Sequence, residues 1–232
     1  MSHILAIETS TNICSIALLS NNKIIAYKEN SEHNSHSQSL TVLIKKLLEE
    51  SDFNINKIDA FAVSIGPGSY TGLRIGVSVT KGLCFGLSKP VIAVSTLKAL
   101  AKQFLNKNSK KNNSNLLLCP MLDARRLEVY TALYKHDLTE IIQPQPLLID
   151  ETSFKKQLLK NKICFFGDGS EKCKNIINSE NAIFDCSINI SAIAVAQIAQ
   201  IMFDGKQFAD VAYFEPLYLK EFIAIKSTKK LF

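Results

Sequence analysis

The sequence predicts an α/β protein made of two similar lobes with mixed sheets. Apolar runs between residues 4 and 105 indicate three short strands followed by alternating helices and strands, and the same order begins again near residue 116. Each copy carries a carboxylate where its first strand ends, Glu8 in one and Asp123 in the other. We therefore expect duplicated βββαβα units, with an N-terminal lobe over residues 1–105 and a smaller C-terminal lobe, terminal helix and tail over residues 106–232.

Turn residues and apolar spacing predict each element in order. Turn-rich residues 9–12 and 20–22 separate three strands that form an antiparallel meander, and a capping box at Ser35 and Gln38 precedes the first helix. In the first copy, the glycine segment at 66–72 follows the strand at 59–65. In the second copy, residues 167–170 follow the strand at 163–166 in the same way. The predicted strands are 4–7, 13–19, 24–27, 59–65, 90–94, 116–122, 128–134, 140–149 and 163–166, and the predicted helices lie near 40–48, 71–86, 96–105, 152–160 and 191–202.

Composition excludes several classes of protein. The 232 residues are 47% hydrophobic and 21% charged, six cysteines form no C-x-x-C pair, and no apolar run approaches the roughly 20 residues of a membrane span. We expect a soluble cytoplasmic protein with reduced thiols. The net charge of +6 is concentrated in residues 106–115 and 226–230, which favours solvated segments over a nucleic-acid footprint. The only arginines, Arg74, Arg125 and Arg126, lie in the two most distinctive segments.

The first of these segments is rich in glycine but is not a nucleotide-binding loop of a known type. It lacks the Gly-Lys-Ser/Thr ending of a Walker loop and the glycine spacing of a dinucleotide fingerprint. On a helix that starts near Thr71, four glycines at positions 72, 76, 82 and 86 share one face of about 120°. Because glycine weakens a helix, something must approach that face closely, most simply the lobe's own sheet or a neighbouring helix. The segment comprises Gly66, Pro67, Gly68, Ser69, Tyr70, Thr71 and Gly72, with Gly76 one turn further on.

A second face of the same helix is also apolar. It carries Leu73, Val77, Thr80 and Cys84, while Arg74 marks the remaining side. An apolar face beyond the one needed for the sheet is either more core or a partner surface, and spacing alone favours core.

Two lobes of this order are the architecture of the actin, Hsp70 and sugar-kinase superfamily, which has a ribonuclease H-like fold. Working members need glycine beside the two carboxylates, so that backbone N–H groups can reach phosphate. Here Glu8 is followed by residues 9–11, Thr-Ser-Thr, and Asp123 by Ala124, Arg125 and Arg126. We therefore expect that the cleft has lost the phosphate-binding glycines that nucleotide hydrolysis requires. Asp123 with its arginines could bind an anion or form a structural ion pair.

Searches for other chemistry nominate no catalytic group. His33 and His36 precede a helix without carboxylates at metal-ligand spacing, and there is no His-Glu-x-x-His or Gly-x-Ser-x-Gly motif. Solvated loop histidines are the simpler interpretation. No serine or cysteine can be tied to a histidine base, so neither a metal site nor a nucleophile is predicted.

Five segments resemble the TsaB (YeaZ) family. The resemblance is specific over residues 4–134 and thin afterwards, mainly at 216–219; Glu8 stands where the family commonly has Asp, and Tyr70 where it has Phe. The segments are ILAIETST at 4–11, GPGSYTGLRIG at 66–76, KGL at 81–83, VSTL at 94–97 and DARRLEVY at 123–130.

The resemblance implies a function without catalysis by this chain. Family members are partners of TsaD, the paralogue that transfers threonylcarbamoyl from its adenylate to the adenosine beside the anticodon of tRNA. They require no cofactor of their own, since ATP is used by TsaE and in the adenylate-forming step. The resemblance further implies a complex with TsaD and TsaE, contact with tRNA only within that complex, and a homodimer when the chain is alone.

The resemblance also changes the interpretation of the second helix. Family members use first-lobe helices either for self-association or for binding TsaD, and the two contacts exclude each other. We therefore expect a partner interface on the first and second helices. Its residues are Leu73, Arg74, Val77, Thr80 and Cys84, together with Leu40, Leu43 and Ile44 of the first helix. The alternative hypothesis is an ATP-dependent phosphotransferase or ATPase of the same superfamily, which the repeated lobes with Glu8 and Asp123 favour. A metalloprotease, an older label for related proteins, is disfavoured by the missing zinc motif.

Overall fold

A computed structural model describes residues 2–31, 36–108 and 115–220 of the chain. His33, the Ser35 capping position, residues 109–114 of the basic segment and the tail beyond 220 therefore lie outside the described residues. Two five-stranded mixed sheets confirm the predicted fold class. The first lobe contains β1 (His3–Glu8), β2 (Cys14–Ser20), β3 (Lys23–Asn30), α1 (His36–Glu50), β4 (Ala60–Gly66), α2 (Tyr70–Leu87), β5 (Val91–Ser95) and α3 (Thr96–Lys107).

The first sheet has the order β3-β2-β1-β4-β5. The first three strands form the predicted antiparallel meander, and β4 and β5 add to β1 in parallel. Parallel neighbours need crossover connections, and α2 supplies the one between β4 and β5. This places the carboxyl ends of β1 and β4, and hence Glu8 and the glycine segment, at one edge of the sheet.

The second sheet repeats this plan with shorter helices. Its order is β10-β9-β6-β7-β8, and β6, β7 and β8 are again an antiparallel meander. The helix predicted near 152–160 is a single turn, and the strand at 182–185 was not predicted. The elements are β6 (Leu116–Asp123), β7 (Glu128–Tyr134), β8 (Glu140–Leu148), α4 (Lys155–Leu158), β9 (Lys162–Phe166), β10 (Ala182–Asp185) and α5 (Ala192–Asp204).

Helices α3 and α5 fill the space between the sheets. One continuous apolar cluster joins Ile4 of β1 to Leu100 of α3, Val195 of α5 and Phe166 of β9. Although α5 comes late in the chain, it packs against β1 and β2 of the first sheet, so the second half of the sequence contributes directly to the first lobe. The lobes are thus separate sheets that share a core.

Helices α1 and α2 cover the opposite face of the first sheet, and this corrects the predicted interface. Their inner faces pack on Leu5, Phe61 and Val63 because the sheet needs an apolar cover on that side. Arg74 alone of the predicted set is exposed, and Leu43 is half-buried against the same cluster. The remaining predicted interface residues are core residues of their own lobe: Leu40, Ile44, Leu73, Val77, Thr80 and Cys84.

The last described segment returns from α5 to the first lobe. We call residues 209–220 the strap. The Ala209 N–H donates to the Val91 carbonyl at 2.9 Å, and the Leu217 N–H donates to the Ile65 carbonyl at 2.7 Å. The strap therefore runs along the β5 side of the first sheet. Among the described residues, no helix combines the length and apolar character that crossing a membrane would need.

Candidate functional site

Glu8 lies at the first-lobe side of the cleft between the sheets. It ends β1, is fully buried, and accepts a hydrogen bond from the Ser10 N–H at 2.5 Å. Burial raises the pKa of Glu8, and hydrogen bonding to Ser10 only partly offsets this. The carboxyl group therefore holds the tight turn that follows it, instead of facing an open cleft.

That turn packs directly on the glycine segment. The Ser69 N–H donates to the Ser10 carbonyl at 2.7 Å, and the Thr9 hydroxyl donates to the Gly72 carbonyl at 2.8 Å. A Cβ atom at Gly72 would lie 2.0 Å from the Thr9 carbonyl oxygen, and one at Gly76 would lie 2.3 Å from Thr9 Oγ1. These glycines serve close packing within the chain. The start of α2, where a phosphate could otherwise bind, is covered by the chain's own turn.

The rest of the motif supports the same contact. Gly68 has a φ of +157°, and a Cβ there would lie 2.5 Å from the Ser10 carbonyl oxygen. Ser69 is the N-cap of α2 and accepts from the Gly72 N–H at 3.2 Å. Gly66, joined to Pro67 by a cis bond, packs at the strap, and Thr71 is exposed.

The histidine interpretation needs a partial correction. His36, the first residue of α1, is buried instead of solvated, and its Nε2 donates to the Thr11 carbonyl at 2.7 Å. The turn after β1 therefore contacts the first turns of both α1 and α2. Within the described part of the chain, no three His, Cys, Asp or Glu side chains are grouped so that they could hold a metal ion.

Asp123, at the second-lobe side, is exposed and already paired. Its Oδ1 accepts from the Arg125 N–H at 2.7 Å and from Lys172 Nζ at 2.5 Å. Burial acts to raise its pKa, but the hydrogen bonds from Lys172 and Arg125 outweigh this and hold the pKa of Asp123 below its ordinary value. The ion pair that the sequence left open is thus formed with Lys172.

Arg125 and Arg126 occupy the turn between β6 and β7, with φ of 72° and 46°. Left-handed conformations are uncommon for such side chains, and the bond from the Arg125 N–H to Asp123 fixes the turn. Both side chains are exposed, so the cluster presents its guanidinium groups outward while Lys172 neutralises the carboxylate.

A small cavity remains between the two sides. Its volume is about 120 Å³, and Thr11, Asn12, Asp168 and Asn189 provide its polar lining among leucine and isoleucine side chains. Sites for drug-sized ligands occupy roughly 300–1,000 Å³, so this cavity is well below nucleotide size.

Exposed apolar side chains lie instead on the outside of the helical layer. We call Val42 of α1 with Ser78, Gly82, Phe85 and Gly86 of α2 the outer helical face. The Phe85 side chain is 85% exposed and Val42 is 48% exposed. Among the residues that the structure describes, a Cβ atom at Gly82 or Gly86 would meet nothing within 4 Å. The four α2 positions fall within about 100° of one another, so they form one surface.

Sequence reasoning missed this surface because it assigned all four glycines to the buried side. The available signal was Phe85, which lies between Gly82 and Gly86 and points away from the row of Leu73, Val77 and Cys84. Arg74, the one exposed residue of the predicted set, is engaged within the chain. Its Nε donates to the Tyr218 hydroxyl at 3.0 Å, and its guanidinium lies 4.1 Å from the Tyr70 ring centroid.

Two duplicated lobes that each end their first strand in a carboxylate define a two-lobed, actin-like α/β protein. A solved activator of 2-hydroxyisocaproyl-CoA dehydratase from Clostridium difficile shares this fold, with a TM-score of 0.50, 9% identity, and coverage of 88% of this chain and 97% of that one. YeaZ from Pseudomonas aeruginosa is much more similar, with a TM-score of 0.80, 27% identity, and coverage of 94% and 100%.

Sequence comparison agrees with the structural one. The family model described as "TsaD: tRNA N6-adenosine threonylcarbamoyltransferase" matches residues 23–213. The tRNA threonylcarbamoyladenosine biosynthesis protein TsaB of Escherichia coli strain K12 is 31% identical over 96% of this chain and 96% of its own length. This chain belongs to the TsaB family. The resemblance identified from the sequence motifs is confirmed.

Proposed function

We propose that this chain is a non-catalytic subunit for threonylcarbamoyladenosine synthesis on tRNA, and that it binds a TsaD-type transferase through the outer helical face. Its TsaB relatives are named for this biosynthesis, and the matching family model is described as that of the transferase. The chain and the transferase family thus have related sequences. In our proposal the transferase carries out the chemistry, and TsaE and tRNA join only through the complex.

The single observation that carries the proposal is the exposed Phe85 between two open glycines. Phe85 combines an aromatic ring that is 85% exposed with two glycines that have open space among the described residues, and that combination would let another helix backbone pack against the ring. The cleft supports the same conclusion, since Thr9 and Ser10 cover the start of α2 and Lys172 neutralises Asp123. The proposal includes a homodimer of the free chain through the same face, which the transferase would displace.

The test uses Phe85→Asp, with Leu159→Asp as the matched control. Leu159 is 76% exposed and lies in the second lobe, away from α1 and α2. Size-exclusion chromatography with light scattering should show that Phe85→Asp loses both self-association and binding to the transferase of the same organism. A carboxylate desolvated in the contact should weaken binding at least about 100-fold, the size of a hot-spot effect. Leu159→Asp should behave as the parent chain does.

Activity provides the second readout. Purified chain, transferase, TsaE, tRNA and threonylcarbamoyl-adenylate should together yield modified tRNA, and omission of any protein should abolish the product. Modification by this chain alone would refute the proposal, as would unchanged transferase binding by Phe85→Asp. The ATPase alternative predicts a heat signal when the free chain is titrated with Mg-ATP up to millimolar concentration, whereas we expect none.

A further inference from the structure

The strap connects α2 to the second lobe. At its end, the Lys220 ammonium forms an ion pair with Glu128 of β7 and lies 5.8 Å from the centroid of the Tyr130 ring. Two residues earlier, Tyr218 packs on Tyr70 with ring centroids 5.0 Å apart and accepts the hydrogen bond of Arg74. A stretch of three residues thus spans from a strand of the second sheet to the first turns of α2.

The strap holds α2 at a second point. Lys81 Nζ donates to the Ala212 carbonyl at 2.9 Å and lies 4.9 Å from the Phe214 ring centroid. Arg74 and Lys81 are the two cationic side chains of α2, and both are directed to the strap. Lys81 is one helical turn before Phe85, so the strap contacts α2 beside the outer helical face.

These contacts are stronger together than any one of them is alone. A partly exposed pair of lysine and glutamate, or one cation above an aromatic ring, contributes little by itself. The Leu217 N–H bond to the Ile65 carbonyl attaches the strap to the first sheet, and the stack at Arg74 and the pair at Lys220 follow within the next three residues. Movement of the second lobe relative to the first would therefore displace α2.

We propose that the strap is a latch that positions α2, and with it the outer helical face, relative to the second lobe. Residues Arg74, Tyr218, Lys220 and Glu128 are then positioning residues for partner binding. The link to the transferase rests on the proposed function, whereas the mechanical link between Glu128 and α2 does not. Because coupling between two sites is reciprocal, a partner on α2 should in turn protect the strap from hydrogen exchange.

The test is Glu128→Gln, which removes the charge and keeps the shape, with Glu180→Gln as the control. Glu180 is an exposed carboxylate of the same lobe. Hydrogen exchange followed by mass spectrometry on the free chain should show amides of residues 70–81 and 209–220 exchanging about threefold to fivefold faster in Glu128→Gln, the scale expected for a partly exposed ion pair. Glu180→Gln should match the parent chain.

Binding to the transferase provides the readout that a merely structural contact would not change. We expect Glu128→Gln to weaken transferase binding by about threefold to fivefold, with Arg74→Lys weakening it similarly because lysine cannot reproduce the planar stack and directed N–H. Faster exchange confined to residues 217–220, with α2 and the affinity unchanged, would overturn the latch. If the parent chain does not bind the transferase, the proposed function fails, and the exchange of α2 in Glu128→Gln still decides the mechanical link.

Discussion

The two halves of α2 use the same residue type for opposite purposes. In the first half, Gly72 and Gly76 lie against the Thr9 side chain and backbone so closely that any Cβ would collide with them. In the second half, a Cβ atom at Gly82 or Gly86 would meet none of the described residues within 4 Å, and Phe85 beside them is 85% exposed. A glycine in a helix therefore indicates close approach without telling which body approaches. Here the approach at Gly72 and Gly76 is made within the lobe, and in our proposal a partner makes the one at Gly82 and Gly86.

The largest expected effect separates core from surface along α2. Val77→Asp should prevent folding, because Val77 is buried among the first-lobe core residues and an unpaired buried carboxylate costs several kcal/mol of a total stability of about 5–15 kcal/mol. Phe85→Asp should unfold at the parent's urea midpoint or close to it. Circular dichroism and urea titration of both variants measure this, and a folded Val77→Asp would show that the helix packs differently.

Alanine substitutions in the two glycine pairs should change the stability of the fold in opposite directions. Gly72→Ala should destabilise the fold by about 1–3 kcal/mol, because the new Cβ must displace the Thr9 carbonyl. Gly82→Ala should stabilise it by about 0.5–1 kcal/mol, since alanine is the better helix former and the added methyl group has free space. Urea unfolding gives both values. Equal changes in the two variants would contradict the distinction between a packed and an open half.

The pH dependence of the free energy of unfolding tests the role of Glu8, which holds the turn that packs on Gly72 and Gly76. Because burial raises the pKa of Glu8 in the folded state, the unfolded chain releases this proton first, and stability should fall as pH rises from the ordinary value of 4.5 to the raised folded-state value. Glu8→Gln should lack that slope. Unfolding by urea across this pH range measures it, and parallel curves for the parent chain and Glu8→Gln would contradict the role of burial.

The second-lobe carboxylate is the matched control for this experiment. The pKa of Asp123 is lowered from 3.8, so its contribution is present above that value and is lost as pH falls through the folded-state pKa. The difference between the parent chain and Asp123→Asn should therefore have the opposite sign and lie at lower pH. If the stability differences for Glu8→Gln and for Asp123→Asn changed with pH in the same direction, the two strand ends would not differ in the way described.

Much of the fold could be predicted because local signals and the final packing agree. The turn residues at 9–12 and 20–22 fix the meander, and the apolar spacing at 191–202 places α5 within two residues of its observed end. The predicted helix near 152–160 failed, since Phe154 adopts a left-handed conformation and Leu158 alone of the short α4 is buried. The strand at 182–185 is only four residues long and lies between polar segments, so it gave no clear pattern.

The candidate site was harder to predict because it depends on which face of α2 meets the sheet. Spacing alone favours core for the row containing Val77, which the structure confirms, and the family resemblance moves that row to the interface. Spacing does not show that Gly82 and Gly86 face away from the sheet. The turn at Thr9 and Ser10 determines which face of α2 meets the sheet, because this turn contacts Gly72 and Gly76 and so fixes the rotation of the helix about its axis. Such contacts, like that of Leu217 with Ile65, join residues far apart in sequence, and no local pattern reports them.

The short bridge between Ala209 and Val91 has a consequence for the solubility of the protein. Strand β5 is one of the two outer strands of the first sheet, and an uncovered outer strand can recruit strands from other molecules. In the second sheet, β8 has Pro144 and Pro146, which lack the N–H groups that such recruitment requires. Strand β5 has no proline, so its protection comes from the returning chain. Versions shortened to end before residue 209 should therefore precipitate or form open-ended assemblies on expression.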